Sequence, residues 1–294
     1  MKKLAMVVFA HADDAASACG GTMVKWADQG WDVVLVRVTN DDKDSMDLLT
    51  KAETERVNTE EFHEAADIMG ATEVVNLDFV TDVLGDLSMV ELRERIVYMY
   101  RKYQPYAVFS FDPYAPFEPN LDHVRVAQAV EEAYWVSNFH LHYPEHLEEG
   151  YQPHAVCERW YFSRVPFYAN YAEDITDYFD QKVAALAANG TQIRNTFHQR
   201  QLQLKTWGRH VPAIDEAVDG DVRPLLEKFL RERCAAAAAD FNLEEGRLAE
   251  VFRVNRFGGQ EGFFQEYSEP LPGEPDKMHT RPCFDPEKAL KLRN

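Results

Sequence analysis

The sequence has few cysteines, and they are not spaced as a disulfide framework or a cysteine-ligated zinc site requires. Its 294 residues contain four, Cys19, Cys157, Cys234 and Cys283, and no Cys-x-x-Cys pair occurs. Neither a disulfide scaffold nor a zinc ribbon is therefore indicated. We expect reduced thiols and a cytoplasmic location, the ordinary setting for such cysteine usage.

Positive charge is also scarce. The chain carries 31 Lys and Arg against 50 Asp and Glu, which gives a formal net charge of −19. Proteins that bind nucleic acid usually present basic patches, and an anionic membrane surface also attracts basic segments. We therefore expect neither nucleic acid nor membrane as a partner. The acidic balance itself bears on solubility and says nothing about the fold.

Long apolar runs are absent as well. No stretch approaches the roughly 20 residues that a membrane-spanning helix needs. The first segment, MKKLAMVVFAHADD, has two lysines and a short apolar run, but no cleavage-like site precedes its charges. We interpret it as a first β-strand and not as a signal peptide.

The chain does have a regular alternation of apolar strands and helices over its first 138 residues or so. The predicted strands are 4–10, 32–38, 73–77 and 106–111, and the predicted helices are 20–30, 51–70, 88–105 and 122–138. This alternation predicts an α/β fold, a Rossmann-like, doubly wound and mostly parallel sheet.

The rest of the chain is more mixed and predicts a C-terminal elaboration of helices and strands. We expect a strand within 154–165, one or two helices within 175–205, and a helix over 223–242. No clear linker is present, so we expect a single domain over 1–294. Its proline-rich residues 270–294 are expected to form an extended tail.

The stretch VVFAHADDAASACGGT (residues 7–22) places one imidazole and two carboxylates at the end of the first strand. Ligands of open parallel sheets bind beyond the carboxyl ends of the strands. His123 follows the fourth strand, so the topology directs it to the same edge. Adjacent buried carboxylates repel each other and are costly to ionise. A bound cation would relieve both problems.

Nitrogen and oxygen ligands of this kind suit zinc, whose catalytic sites use three protein ligands and keep one position open. His11, Asp14 and His123 are the candidates, for zinc or another divalent metal. Asp13 would stay unligated and could accept a proton from water. The alternative interpretation is ordinary: Asp is a favoured residue at helix N-caps and in solvated loops, and His123 could be a plain helix-terminal residue.

Four segments resemble the LmbE-like, or PIG-L, family of zinc-dependent de-N-acetylases. AHADDAASACGGTMVKWADQGWDVVLVRVTN is similar to that family's opening segment. DPYAPFEPNLDHVRVAQAVEEA is similar to its Asp-Pro and the later His-x-Asp-His at a helix start. ITDYFDQKVAALAANGTQ and LAEVFRV resemble its later motifs more weakly.

The resemblance implies hydrolysis of an N-acyl amide, expected to be N-acetyl, in a small molecule, by metal-activated water. It implies the metal ligands His11, Asp14 and His123, with Asp13 as general base. Asp122 would then orient a ligand. The partner is expected to be a small N-acylated substrate, and the protein is expected to form a homo-oligomer.

The chain departs from the family pattern at several positions. Asn120 stands where the family has the first histidine of His-x-Asp-His, and we expect it to act at the catalytic site as a hydrogen-bond donor. Its amide cannot act as an acid near neutral pH. His140, His142 or His154 could supply a proton instead, although each also fits a surface position.

Other departures concern how a substrate is held. Ala15 and Ala16 follow the paired aspartates where the family commonly has a glutamate, and Asn58 stands where it has an arginine. Hydrolysis of a non-sugar amide or of another bond therefore remains an alternative. The segment HLHYPEH (140–146) is interpreted as a solvated loop.

Two non-enzymatic alternatives are also open. A Rossmann-like nucleotide-binding module would need a Gly-x-Gly-x-x-Gly loop after the first strand, which residues 18–22, ACGGT, do not supply. A metal-binding homologue without catalysis would keep the ligands and lack activity.

Overall fold

A seven-stranded sheet forms the centre of the computed structural model, which describes residues 3–273. In chain order its strands are β1 Leu4–Phe9, β2 Asp32–Thr39, β3 Glu73–Phe79, β4 Ala107–Phe111, β5 Glu158–Phe162, β6 Tyr171–Asp174 and β7 Ala249–Asn255. Their spatial order is β3-β2-β1-β4-β5-β7-β6. The first five are parallel, and β7 runs antiparallel to β5 and β6. The prediction of a mostly parallel α/β sheet is confirmed.

Helices cover both faces of this sheet. In chain order they are α1 Asp14–Asp28, α2 Lys51–Ile68, α3 Met89–Tyr103, α4 Leu121–Val136, α5 Glu145–Glu148, α6 Phe179–Ala188, α7 Gly190–Thr206, α8 Pro212–Asp219, α9 Arg223–Asp240 and α10 Glu261–Tyr267. Short 3-10 turns occupy Thr176–Tyr178 and Gly258–Gln260. Among the helices within residues 3–273, none is both long and apolar enough to cross a bilayer.

The residues of β1 show why both faces must be covered. Its six residues are all buried, and successive side chains of a strand point to opposite faces. Val7 and Phe9 pack in the core beneath α1 and α2, whereas Met6 and Val8 pack in the core beneath α3 and α4. A continuous apolar run is what a strand buried on both sides requires.

Several predicted elements differ from the structure. The first helix begins at Asp14, six residues before the predicted start, so the paired aspartates lie at its N-terminus and not in a loop. The prediction of one or two helices within 175–205 is confirmed, because α6 and α7 lie there and divide at Asn189. The strands β6 and β7 and the helix α8 were not predicted. Residues 274–294 lie outside the described residues, so the predicted tail and the single-domain organisation stay predictions.

The solvated-loop prediction for 140–146 is wrong at His146. This side chain is buried, and its Nε2 lies 2.8 Å from Glu94 Oε1 while its Nδ1 lies 3.3 Å from Arg101 Nη1. The short helix α5 carries it against α3. Its partners lie some 50 residues earlier in the chain, so the local sequence gave no indication of this burial.

An aromatic cluster connects α1 to the central strands. Trp160 of β5 stacks on Phe109 of β4 at 5.0 Å between ring centroids, and it meets Trp26 of α1 edge-on at 5.1 Å. Phe252 of β7 completes the cluster at 5.3 Å from Trp160. The aromatic packing therefore fixes α1 against β4, β5 and β7, and α1 begins at the paired aspartates.

Replacing Trp160 with Ala is expected to lower the free energy of unfolding by about 3–5 kcal/mol, the usual cost of deleting a large buried aromatic. Urea unfolding followed by circular dichroism would measure this loss. Trp207→Ala is the matched control, because Trp207 is 74% exposed; it should change stability by no more than about 0.5 kcal/mol. Equal losses in the two variants would contradict the role assigned to the cluster.

Candidate metal centre

The three predicted ligands converge on one point. His11 Nδ1 lies 2.9 Å from His123 Nε2, Asp14 Oδ1 lies 3.3 Å from His123 Nε2, and Asp14 Oδ2 lies 3.6 Å from His11 Nδ1. Bonds of 2.0–2.1 Å in a tetrahedral zinc site place neighbouring ligand atoms about 3.3 Å apart. The observed separations bracket that value, so these residues fit a cation of this size.

Local backbone geometry explains why His11 and Asp14 point the same way. The chain turns between β1 and α1, and the amide of Asp14 donates to the carbonyl of His11 at 3.1 Å. The amide of His11 in turn donates to Asp14 Oδ2 at 2.8 Å. These two hydrogen bonds close the turn and bring both side chains to one side.

His123 reaches the same point from the first turn of α4. Asn120 caps this helix: its Oδ1 accepts from the amides of Asp122 at 2.9 Å and His123 at 3.4 Å. The His123 ring stacks on Phe111, with centroids 4.0 Å apart and planes 15° apart. The end of β4 and the cap of α4 therefore fix the imidazole together.

Carboxylates contact the outer nitrogens of both imidazoles. His11 Nε2 lies 3.5 Å from Asp122 Oδ2, and His123 Nδ1 lies 3.1 Å from Glu118 Oε1. The amides of Asp82 and Leu84 donate to Asp122 and hold it in place. A carboxylate behind a ligating histidine fixes the ring orientation and the tautomer. Asp122 thus lies behind His11, where an orienting residue is expected.

The electrostatics of the cluster are unbalanced without a cation. Burial alone would lower the pKa of His11 and His123, but the surrounding carboxylates raise both pKa values, that of His11 well above its ordinary value. Burial opposes ionisation of Asp14, yet the two imidazoles hold its pKa well below its usual range. A divalent ion would supply the missing positive charge.

Asp13 stands apart from the ligands. It occupies the position before α1, but its side chain makes no capping hydrogen bond, so the N-cap interpretation does not account for it. Its side chain lines a cavity of about 210 Å³ above the cluster. Burial, reinforced by the neighbouring Asp14, raises the pKa of Asp13 to about 7. A carboxylate with this pKa is suited to accept a proton near neutral pH.

The sequence analysis did not identify two further acidic residues near His11. Asp41 and Asp44 follow β2, and one oxygen from each lies within 4.8 Å of a His11 ring nitrogen. Asp41 is buried, accepts from the amide of Ala12 at 2.9 Å, and has its pKa raised to about 7 by burial. The run TNDDKD at the carboxyl end of β2 was the available signal.

Several predicted alternatives do not reach this site. His154 Nε2 contacts the Pro105 carbonyl oxygen at 2.8 Å. Pro105 precedes β4, so this contact lies at the amino end of the strand, opposite the candidate metal centre. His140 and His142 follow the opposite end of α4, which is about 24 Å long. None of these three histidines can therefore take the place of the family histidine whose position Asn120 occupies. Asp112, which follows β4, is not part of the cluster either, because it forms a two-pronged ion pair with Arg253 at 2.6 and 2.7 Å.

Helix α1 is kinked near its N-terminal end, a few residues after the paired aspartates. Cys19 has non-helical dihedral angles, φ −138° and ψ 16°, so the helix is kinked there. On the N-terminal side of the kink, Lys182 Nζ donates to the carbonyls of Ala16 at 3.1 Å and Ser17 at 2.8 Å. The buried ammonium therefore satisfies acceptors that the kink releases from the helix ladder.

Glu250 binds the backbone amides on the C-terminal side of the same kink. Its carboxylate accepts from the amides of Gly21 at 3.1 Å and Thr22 at 2.8 Å, and it lies 2.5 Å from Lys182 Nζ. A Cβ on Gly21 would lie 2.7 Å from Ile175, so the helix packs too closely here for a larger residue. The two weaker sequence resemblances thus meet in space, through Lys182 and Glu250.

Comparisons with known proteins agree with this geometry. Residues 6–134 match the PIG-L family, described as GlcNAc-PI de-N-acetylase. A curated relative, diacetylchitobiose deacetylase from Thermococcus kodakarensis, is 29% identical over 196 residues, which are 65% of this chain and 70% of the relative. The resemblance predicted from the sequence is confirmed.

Solved structures share the fold. N,N'-diacetylchitobiose deacetylase from Pyrococcus horikoshii aligns with a TM-score of 0.69 and 22% identity, covering 92% of this chain and 88% of its own. The 4-carboxy-2-hydroxymuconate hydratase from Pseudomonas putida aligns with a TM-score of 0.63 and 19% identity, covering 92% and 99%. At these identities the likeness concerns the fold alone.

Zinc binding to metal-free protein is expected to release protons. The imidazoles of His11 and His123 must be neutral to ligate a metal, whereas their raised pKa values favour a proton on the pair when no metal is present. The 2.9 Å contact between His11 Nδ1 and His123 Nε2 has room for one hydrogen, which metal binding would displace. Release should be large at about pH 6.5 and should shrink as pH rises through those pKa values. Calorimetry in buffers of different ionisation enthalpy measures the proton count. A binding heat that does not depend on the buffer near pH 6.5 would contradict this expectation.

Removing one member of the buried pair should destabilise the protein. Lys182→Met and Glu250→Gln are each expected to cost about 3–5 kcal/mol, because each leaves an uncompensated buried charge. The double variant should lose less than the sum of the single losses, as expected for interacting residues. Urea unfolding provides the measurement, with exposed Lys228→Met as control. Strictly additive losses would show that the pair does not act as a unit.

Proposed function

We propose that this chain, whose residues 6–134 match the PIG-L family, is a metal-dependent hydrolase that removes the acetyl group from a small N-acetylated molecule. The observation that supports this most is the convergence of His11, Asp14 and His123, with the carboxylate of Asp13 free beside them. The curated relative from Thermococcus kodakarensis is named a diacetylchitobiose deacetylase, and we extend the cleavage of an N-acetyl amide from it to this chain.

The metal would be held by His11 Nδ1, His123 Nε2 and the Asp14 carboxylate. We favour zinc, on the two nitrogen and one oxygen donors, although another divalent cation fits the same donors. Such a cation, when bound, supplies Lewis-acid stabilisation and a water of lowered pKa. Asp122 and Glu118 act as positioning residues, because they contact only the outer nitrogens of the imidazoles.

Asp13 is assigned the proton transfers. Its carboxylate takes a proton from the water that attacks the amide carbonyl carbon, and it then returns that proton to the nitrogen as the carbon–nitrogen bond breaks. Acetate and a free amine are the products. Burial and Asp14 raise the pKa of Asp13 to about 7 in the metal-free protein, and a bound cation beside it would lower that pKa and favour the ionised form that accepts the proton.

Asn120 is assigned a hydrogen bond to the substrate carbonyl. Its Oδ1 is engaged in capping α4, so its Nδ2 is the group that it can present to the cavity. A donor aimed at the carbonyl oxygen stabilises the negative charge that develops there. An amide cannot exchange a proton near neutral pH, which leaves proton delivery to Asp13.

The alternative substrate, a non-sugar amide, is favoured by one observation. Asn58 stands at the family's arginine position, and its Nδ2 donates to the backbone carbonyls of Asp41 at 2.9 Å and Asp44 at 3.2 Å. This side chain is buried and stabilises the loop after β2, so it does not reach a substrate as an arginine there could. This departure favours a substrate whose amine portion differs from that of an amino sugar. A cytoplasmic location and a homo-oligomeric assembly remain further proposals.

The nucleotide-binding alternative has little support from the site. A phosphate would bind at the N-terminus of the helix that follows the first strand. That position holds Asp13 and Asp14, whose charge repels a phosphate.

Asp13 and Asp14 are expected to respond differently to the same substitution. Asp13→Asn should retain the metal and lower kcat by about 10²–10⁴-fold, the usual contribution of a general base. Asp14→Asn should lose the metal. Acetate release from diacetylchitobiose and the metal content by mass spectrometry are the two measurements, with exposed Asp219→Asn as control. Wild-type rates in Asp13→Asn would exclude it as the base, and no acetate release by the wild-type protein would favour the non-catalytic homologue.

A further inference from the structure

One face of α7 lines the cavity beside the metal centre. Its five lining residues follow the spacing i, i+3, i+4, i+7, i+8: Gln192, Asn195, Thr196, Gln199 and Arg200. Residues with this spacing share one side of an α-helix. All five carry hydrogen-bonding groups, so this face offers a substrate polar contacts along its length.

This face runs from the metal centre toward a positive charge. Gln192 Nε2 lies 3.4 Å from Asp44 Oδ2, close to the acidic cluster. Arg200 lies eight residues further along the helix, about 12 Å along its axis. A molecule whose amide lies at the metal centre therefore meets Arg200 at its other end.

A second arginine comes from a different helix. Arg233 of α9 also lines the cavity, and its Nη2 lies 3.5 Å from the carbonyl oxygen of Ser163. A third lining arginine, Arg164, is already engaged, because its Nε lies 2.9 Å from Glu118 Oε2. Within residues 3–273, neither Arg200 nor Arg233 forms an ion pair with a carboxylate.

Arginine side chains without a carboxylate partner are unexpected in a chain with a formal net charge of −19, and within the part of the chain that the structure describes Arg200 and Arg233 are two of them. Carboxylates are abundant on such a protein, and most of its arginines could find one nearby. Arg200 Nη1 donates to Gln203 Oε1 at 2.8 Å. The other guanidinium donors of these two cavity-lining arginines have no carboxylate partner among residues 3–273, which leaves them available to a ligand. The guanidinium group matches carboxylate and phosphate oxygens in both charge and shape.

We propose that the amine portion of the substrate carries a carboxylate or phosphate group, bound by Arg200 and Arg233 while the acetamide lies at the metal centre. Gln192, Asn195 and Gln199 would bind neutral hydroxyl or amide groups between the two ends. This inference rests on the proposed deacetylase function. It distinguishes the substrate from a neutral N-acetylated sugar.

Three matched compounds test the proposal: N-acetylglucosamine 1-phosphate, the carboxymethyl glycoside of N-acetylglucosamine, and its neutral methyl glycoside. Wild-type protein should prefer at least one anionic compound to the neutral one by about tenfold or more in kcat/KM, mainly through KM, as expected for a charge-assisted hydrogen bond. The preferred anionic compound identifies the group as phosphate or carboxylate.

Variants that remove one positive charge show which residues cause the preference for anionic compounds. Arg200→Gln and Arg233→Gln should each reduce the ratio of anionic to neutral kcat/KM by about tenfold, and added salt should reduce it in the wild type. Lys205→Gln on α7 and Lys228→Gln on α9 are controls, since neither lysine lines the cavity; the ratio should match the wild type. Equal kcat/KM for all three compounds, or a ratio unaffected by both arginine variants, would overturn the anion site and leave the deacetylase function intact.

A binding measurement covers the case in which no compound is hydrolysed. The deacetylase proposal then fails, and calorimetry with glucosamine 1-phosphate and inorganic phosphate decides about the anion site. Binding at least about fivefold weaker in the double variant Arg200→Gln/Arg233→Gln than in the wild type supports the site. No binding by the wild type, or equal binding by both proteins, overturns it.

Discussion

The structure depends on an excess of buried and half-buried carboxylates at the carboxyl edge of the sheet. Asp13, Asp14, Asp41 and Asp122 surround the imidazole of His11 within a small volume. So many acidic groups cannot stay ionised together in a buried site unless positive charge offsets them. In the metal-free protein the raised pKa values of the two imidazoles favour protonation, and a proton held between His11 Nδ1 and His123 Nε2 supplies part of that charge. A divalent cation would displace that proton and do the same more effectively.

The fold brings these groups together through strands that end at the same level. β1 and β2 are parallel neighbours, and the amide of Thr39 donates to the carbonyl of Ala10 where both strands finish. β4 ends beside them, and its continuation leads to the cap of α4. The ion pair of Lys182 and Glu250, from α6 and β7, then fixes the kinked α1 from behind. The C-terminal part of the chain therefore supports a site whose ligands all come from its first half.

The sequence predicted the ligands because the information for them is local. A buried strand followed by His-x-Asp-Asp, combined with the rule that ligands bind at the strand ends, made His11 and Asp14 candidate ligands, and the family resemblance favoured them over an N-cap or loop interpretation. The start of α1 was predicted six residues too late, because paired aspartates, a serine and the glycine pair at 20–21 are typical of turns, although the alanines between them favour a helix. Tertiary packing against the sheet decided in favour of the helix.

The residues that sequence reasoning missed depend on contacts between distant segments. Lys182 and Glu250 are 68 residues apart, and nothing in either segment shows that they pair. The same holds for Glu118 behind His123, where the loop between β4 and α4 has to fold back. Arg200 and Arg233 belong to two helices whose arrangement around the cavity is not encoded in either helix alone. Their charges nevertheless bear on which amines the site can accept.

The central claim is that one cation is bound by His11, Asp14 and His123, with Asp13 left free. Anomalous diffraction at the zinc absorption edge, from crystals of zinc-loaded protein, tests it most directly. The account predicts one strong peak within bonding distance, about 2.0–2.2 Å, of His11 Nδ1, His123 Nε2 and the Asp14 carboxylate. A peak coordinated by Asp13, or one centred among His11, Asp41 and Asp44, would contradict it.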